Sequence, residues 1–215
     1  TDTWNYDMRG NDEEKLSAIC AQAAEAGDPI GRVYHADFLT TAALYDPRVD
    51  GEKTGMAATA EYRKAADAGV GWGQYFYGMR LFNGEGIAAD PMAAEPLLKA
   101  ASAGGLPAGD FGLGMLYLSG KVAGPSPDEA FALIKKSADA GFDEAQFDLC
   151  QRLVGGWDWT EDLDAALAYC KGSSTSADPY IAEKSKSWVT DVERRIAERN
   201  AAPATPTEPA TPAPN

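Results

Sequence analysis

The chain has 215 residues, 45% of them apolar and 24% charged, which suits one globular domain or a short repeat array. Its net charge of -14 and single histidine argue against a nucleic-acid partner, because phosphate binding needs clustered lysine and arginine. A basic protein face or a basic peptide is the expected complement. No apolar run reaches the ~18–20 residues of a membrane span.

The chain opens on Thr1 rather than Met and shows no charged-then-apolar leader, so either a signal peptide has been removed or the chain was trimmed. Residues 1–12 read as an extended arm, since Trp4, Tyr6 and Met8 follow no helical period. Trp4 and Tyr6 are large apolar groups without a predicted core place, and are candidate contact residues. Asn11 or Asp12 caps a first helix whose Glu13 and Glu14 suit the positive end of its dipole and whose end is marked by Gly27. A second helix covers Gly31 to Thr41. The segment Tyr45–Gly55 then reads as a longer loop. Its Asp46, Asp50 and Glu52 suggest a calcium loop, but Arg48 and Ala57 break the ligand pattern.

Further along, three helix endings share one form: Lys64-Ala65-Ala66-Asp67-Ala68-Gly69, Lys99-Ala100-Ala101-Ser102-Ala103-Gly104 and Lys136-Ser137-Ala138-Asp139-Ala140-Gly141. Between them lie further helices, Gly109 to Leu118 in the third unit and Ala145 to Val154 in the fourth, broken by Gly120 and Gly156. Asp90-Pro91, Ser126-Pro127 and Asp178-Pro179 each place a capping side chain before a first-turn proline. Pro96 falls in the second turn of its helix, which should start late or bend there. A final helix from about Pro179 to Arg199 carries Ile181, Trp188, Val192 and Ile196 at helical spacing and reads as a cap. Residues 201–215, rich in alanine, proline and threonine, cannot pack a core and read as a disordered tail. The repeat body is thus residues 13–200.

A fixed echo runs through that body. Tyr75, Phe111 and Phe147 are 36 residues apart, and so are Gly78, Gly114 and Cys150, then Leu81, Tyr117 and Leu153, then Gly84, Gly120 and Gly156. A period in this range marks one supersecondary unit stacked on copies of itself, each burying its apolar face against the next.

These residues resemble the Sel-one-like repeats, α-solenoid relatives of the tetratricopeptide repeats. The likeness rests on Tyr77-Gly78, Leu81, Gly84-Glu85-Gly86-Ile87, Asp90, Ala94 and Lys99-Ala100-Ala101. It continues through Leu113-Gly114, Tyr117, Gly120 and Lys136-Ser137-Ala138, then Ala145, Leu149, Leu153, Gly156, Asp162, Ala166, Tyr169 and Lys171. It covers roughly residues 27 to 172 and implies an all-α, right-handed solenoid of about four helix-turn-helix repeats with a C-terminal capping helix. The family has no shared catalytic site. Its members are mostly scaffolds and adaptors, many of them periplasmic, and some cysteine-rich members were proposed to bind peptidoglycan-like or β-lactam compounds. Cys150 stands where the family has glycine, and Trp157-Asp158-Trp159 stands where the family turns.

The resemblance also implies a disulfide. Counting from the turn at Trp157 leaves Cys150 and Cys170 about four residues out of level, roughly 6 Å along the axis, which argues against a bridge. Cysteine-rich family members, however, bridge the two helices of a repeat. Moving one turn toward the loop on both helices gives the 20-residue separation of Cys150 and Cys170. That pairing leaves Cys20 free and places the protein in an oxidising compartment.

In tetratricopeptide-like stacks the first helix of each unit lines the concave face. Asp37, Phe76, Met79, Phe82, Met115, Leu118, Asp148, Gln151 and Val154 are therefore candidates for a groove, against the plainer reading that half of them fill the core. Trp157 is a candidate interface anchor, whereas Trp159 is expected to plug its turn. Trp72 reads equally as core or contact. His35 aligns with Tyr77 and Leu113 and is expected to be a buried, satisfied side chain. Acid pairs such as Glu13-Glu14 and Asp143-Glu144 sit at helix starts, where charge is expected. No His-Glu-x-x-His, phosphate loop or Cys-x-x-Cys occurs, so no catalytic residue, metal or cofactor is expected. The expected role is a periplasmic or secreted adaptor or regulator that binds a protein or peptide. The alternatives are an architectural subunit of a membrane-associated complex and a cell-wall-related hydrolase or binder.

Overall fold

A computed structural model describes residues 11–156 and 160–201. Among these residues the chain forms ten helices and no strand. They are α1 (Asn11–Glu25), α2 (Pro29–Tyr45), α3 (Gly51–Asp67), α4 (Gly71–Asn83), α5 (Pro91–Ala103), α6 (Pro107–Leu118), α7 (Pro127–Asp139), α8 (Asp143–Gly155), α9 (Leu163–Ser173) and α10 (Pro179–Ala201). Helices α2 to α9 form four pairs, each helix packing most extensively on its partner, and the pairs stack through α3–α4, α5–α6 and α7–α8. The result is an all-α solenoid. Its core is a row of three apolar clusters, around Tyr62, around Leu98 and Leu116, and around Ile134 and Leu149.

The starts of these helices are written locally. Asp90, Ser126 and Asp162 accept backbone hydrogen bonds at N-caps, and Ser126 with Glu129 closes a reciprocal capping box. Asp178 accepts from the amides of Tyr180 and Ile181 and opens α10. The caps of α4, α6 and α8 differ in kind: Val70, Leu106 and Phe142, 36 residues apart, stand at the N-cap without a side-chain hydrogen bond.

Close helix approach is set by glycine. A Cβ placed on Gly73 would stand 2.7 Å from that of Ala65, and one on Gly109 2.8 Å from that of Ala101, so these positions let one pair settle on the last. Within a pair, a Cβ on Gly78 would meet Leu98 at 3.0 Å and one on Gly114 would meet Ile134 Cγ1 at 2.7 Å. In the fourth pair the same two positions are Cys150 and Cys170, which form a disulfide with Cα atoms 4.9 Å apart. Cys20 is free and buried. The axial offset that argued against the bridge comes from counting through the turn; the repeat register gives the true level.

Several expectations are corrected. The loop after α2 spans only residues 46–50, because Asp50 caps α3 through the amide of Lys53. Asp46 is likewise engaged, by nearby Arg48 at 2.7 Å, so Asp46 and Asp50 both have structural partners. Helix α5 starts on time at Pro91 and runs through Pro96. After it, the left-handed backbone falls on Gly105 (φ 80°), not Gly104, since Gly104 still follows the helix with φ -72°. The side chain of His35 is only half-buried, and its Nδ1 is buried without a hydrogen-bond partner. The buried, satisfied histidine expected from the register therefore does not form. Helix α10 caps the C-terminal end, burying Val192 and Ile181 and joining Ser185 to Ser173 at 2.8 Å.

Candidate functional site

The first helices of the pairs, α2, α4, α6 and α8, hold the nine groove candidates. Phe76, Met79, Met115, Leu118, Asp148 and Gln151 are half-buried. Met115 packs against both the middle and the C-terminal core clusters. Asp148 accepts from Arg152 Nε at 2.6 Å. Phe82 and Val154 are corrections: at 9% and 5% exposure they belong to the core. Phe82 is covered by the loop of the following pair, whose Lys121 ammonium lies 4.7 Å from its ring centroid, and Val154 shares its cluster with Val192 of α10. Trp4, Tyr6 and Trp157 lie outside the described residues, as do Trp159 and the tail beyond Ala201.

Asp37 is drawn into a polar network rather than offered to a groove. Tyr62 donates its hydroxyl to Asp37. Arg80, buried among three helices, donates to Thr40 Oγ1 at 2.7 Å and Thr59 Oγ1 at 3.1 Å and lies over the Tyr62 ring. Burial raises the Asp37 carboxyl to about 6, against the lowering pull of Tyr62 and Arg80. It also pushes the Tyr62 phenol up, with the Asp37 charge adding to that.

A second set of side chains meets at the N-terminal ends of α4, α6 and α8. The Trp72 ring stacks on Phe76 with centroids 5.5 Å apart and lies edge-on to Tyr75 at 5.9 Å. Phe142 reaches across from α8 to Trp72 at 6.4 Å, to Tyr75 at 6.1 Å and to Phe111 at 5.6 Å. Trp72 remains 39% exposed. Beside Phe142 sits a carboxyl pair. Asp143 is held below its ordinary value: burial pushes it up, but hydrogen bonds from Glu144, Ser176 and the backbone overrule that. Glu144 is raised to about 8, first by burial and then by Asp143, with Asp178 adding repulsion. Its Oε2 is buried with no hydrogen-bond partner.

Sequence reasoning did not single out this corner. The repeat register holds a signal for it, since Trp72, Ala108 and Glu144 occupy one position in three successive pairs.

The raised Glu144 has a consequence for stability. Its folded value lies above that of an unfolded glutamate, so the folded state holds the proton more tightly. The contribution of Glu144 is therefore full below pH 4.5 and is lost as pH rises through about 8. Glu144→Gln removes this dependence. The variant is expected to match the parent's thermal midpoint near pH 5 and to exceed it by several degrees at pH 8.5. Parallel melts across pH would refute the reading if the two curves kept a constant gap.

Among the described residues no cluster of three or more His, Cys, Asp or Glu side chains could hold a metal ion, and no helix is long and apolar enough to cross a membrane. No family model and no curated protein matches the chain. Among the solved structures similar to it are two Sel1-type repeat proteins. One is a Sel1 repeat protein from Oxalobacter formigenes, 15% identical with a TM-score of 0.59; the match covers 85% of this chain and 59% of that one. The other is c5321, described as a protective antigen present in uropathogenic Escherichia coli strains and displaying an SLR fold. It is 19% identical with a TM-score of 0.54, the match covering 85% of this chain and 41% of that one. This chain thus spans less than two thirds of either structure. Helix pairs, glycine-set packing and this likeness together make the chain an α-solenoid of the Sel1-like repeat fold.

Proposed function

We propose that this protein is a non-catalytic adaptor or regulator of the periplasm. It binds a protein or peptide along the face of its first helices and through its N-terminal arm. The observation that carries this reading is the row of half-buried, adaptable side chains on neighbouring first helices: Phe76 and Met79 on α4, Met115 and Leu118 on α6, Gln151 on α8. Methionine suits surfaces that must fit a partner's side chains. Trp4 and Tyr6 supply aromatic anchors from the arm, and Trp157 does so beyond α8. The Cys150–Cys170 bridge supports an oxidising compartment, and the net charge of -14 favours a partner with a basic face.

A second reading, as an architectural subunit of a membrane-associated complex, draws on a different observation. Ile19, Ile30, Leu44, Tyr45, Val49 and Met56 are exposed, all on α1 to α3 and the loop within them. Apolar side chains gathered at one end of a solenoid suit a fixed neighbour.

Affinity purification of the intact protein from its own cell, with mass spectrometry of the captured proteins, separates the two. For the adaptor, Met79→Glu with Met115→Glu abolishes capture, and deletion of residues 1–10 weakens it while leaving the thermal midpoint within about a degree, because arm residues carry no repeat positions. Capture that survives both changes but is lost with Leu44→Glu and Tyr45→Glu would favour the architectural role.

A further inference from the structure

We propose that the corner formed by Trp72, Phe76 and Phe142, with the Asp143–Glu144 pair beside it, is the anchor site for an arginine side chain of the bound protein. This rests on the reading of the first-helix face as the binding surface, and it names what that surface recognises.

The geometry supplies both halves of a guanidinium site. Trp72 offers an exposed indole face backed by Phe76, and Phe142 flanks it. Ring faces attract a planar cation, and arginine stacks on them better than lysine does. The charge half comes from α8, where Asp143 is ionised and Glu144 shares its proton. Glu144 Oε2, buried without a donor, is an acceptor left over by the fold. A buried acceptor without a partner costs stability, and an arginine N–H meets it once the Glu144 side chain turns outward toward the corner. Glu144 is close enough to the Tyr75 phenol for its charge to raise it, together with Asp143 and Glu85. The charged groups acting on the Glu144 carboxyl from the elements around it are Asp143 on α8 and Asp178 at the start of α10, with the neutral Tyr75 phenol of α4 nearby. The acids among them repel a second negative charge and favour an incoming positive one. The net charge of -14 adds steering toward a basic ligand.

Binding of a cation here converts Glu144 from acid to carboxylate. The proton leaves to solvent, and the new ion pair replaces the shared proton. Affinity must then rise with pH up to about 8, by roughly tenfold per unit where Glu144 is protonated in the free protein.

The test uses the full-length protein and an acetylated, amidated tetra-arginine peptide, with tetra-lysine and tetra-glutamine peptides as comparisons. Titration calorimetry at pH 6.5 and 7.5, in two buffers of different ionisation enthalpy, reads affinity and protons released. The expected result is binding of tetra-arginine in preference to tetra-lysine and none of tetra-glutamine, with proton release and about tenfold tighter binding at the higher pH. Glu144→Gln should remove the proton release and the pH dependence. Trp72→Ala, checked by its thermal melt to be folded at the titration temperature, should weaken binding about tenfold while keeping proton release. Equal affinity of parent, Glu144→Gln and Trp72→Ala for tetra-arginine would overturn the site and assign the peptide to the acidic surface at large. So would absence of binding or of proton release. The two readings fail separately: partner capture lost with the Met79 and Met115 changes but untouched by Trp72→Ala and Glu144→Gln leaves the adaptor standing and removes the arginine anchor.

Discussion

Gly114→Leu is expected to lower the thermal midpoint by about 6 °C. A Cβ at this position would lie 2.7 Å from Ile134 Cγ1 and 2.8 Å from the carbonyl oxygen of Ala130. A side chain could rotate away, but the Ala130 carbonyl belongs to the backbone of α7 and cannot. The two helices must separate, which opens space around Leu116 and Ile134, both fully buried. Overpacking of this kind costs ~1–3 kcal/mol, and a domain of this size loses about 2–4 °C per kcal/mol. Gly55 provides the control. It lies within α3 and a Cβ there meets nothing within 4 Å, so Gly55→Ala should hold or raise the midpoint by reducing unfolded-state freedom. Differential scanning calorimetry of the three proteins decides it: a Gly114→Leu midpoint equal to the parent's would show that α6 and α7 are not packed through this contact.

Replacing Cys150 and Cys170 together by alanine should cost about 3 kcal/mol, through the lost cross-link of a loop of roughly 20 residues. Both residues are fully buried, so some core filling is lost as well. The repeat suggests its own repair. Cys150→Gly with Cys170→Leu reproduces the Gly78–Leu98 contact of the α4–α5 pair and should recover part of the loss. The bridge itself is read by alkylating the denatured, unreduced protein. One labelled cysteine, Cys20, is expected by mass spectrometry. Three labels in material prepared under oxidising conditions would remove both the bridge and the argument for an oxidising compartment.

What could be read from the sequence was what the 36-residue register carries. Helix starts at Pro91, Pro127 and Pro179 follow from a capping side chain and a proline, which act within one turn. The close contacts at Gly78 and Gly114 follow from the resemblance, since the repeat family places glycine there where two helices approach. The Cys150–Cys170 pairing is likewise implied by the resemblance and not by counting through the turn, and the structure places the two cysteines where Gly114 meets Ile134. Other features depend on contacts that no short stretch encodes. Phe82 and Val154 share the spacing of groove residues but are covered by Lys121 and α10. Glu144 looks like an ordinary first-turn acid. Its raised carboxyl reflects burial and the charges of Asp143 and of Asp178, which arrives from the start of α10. The Tyr45–Gly55 segment misled because Gly51 and Gly55 resemble loop residues, while Asp50 had already supplied the cap that makes them helical.

The bridge between α8 and α9 also gives the molecule a mechanical polarity. A stacked array transmits tension from unit to unit and yields at its weakest junction. At one end α1 leaves Ile19 to solvent, with Ile30 and Leu44 exposed on α2. At the other, α10 seals the stack and Cys150 is bolted to Cys170. Pulled by its two ends, the chain would peel from α1 toward α9. Each released 36-residue unit would lengthen the tether by about 12 nm at full extension. The final unit would give up less, because the segment between the two cysteines stays hidden from the force. A partner held on the first helices of the later pairs would thus keep its seat after the opposite end had come undone.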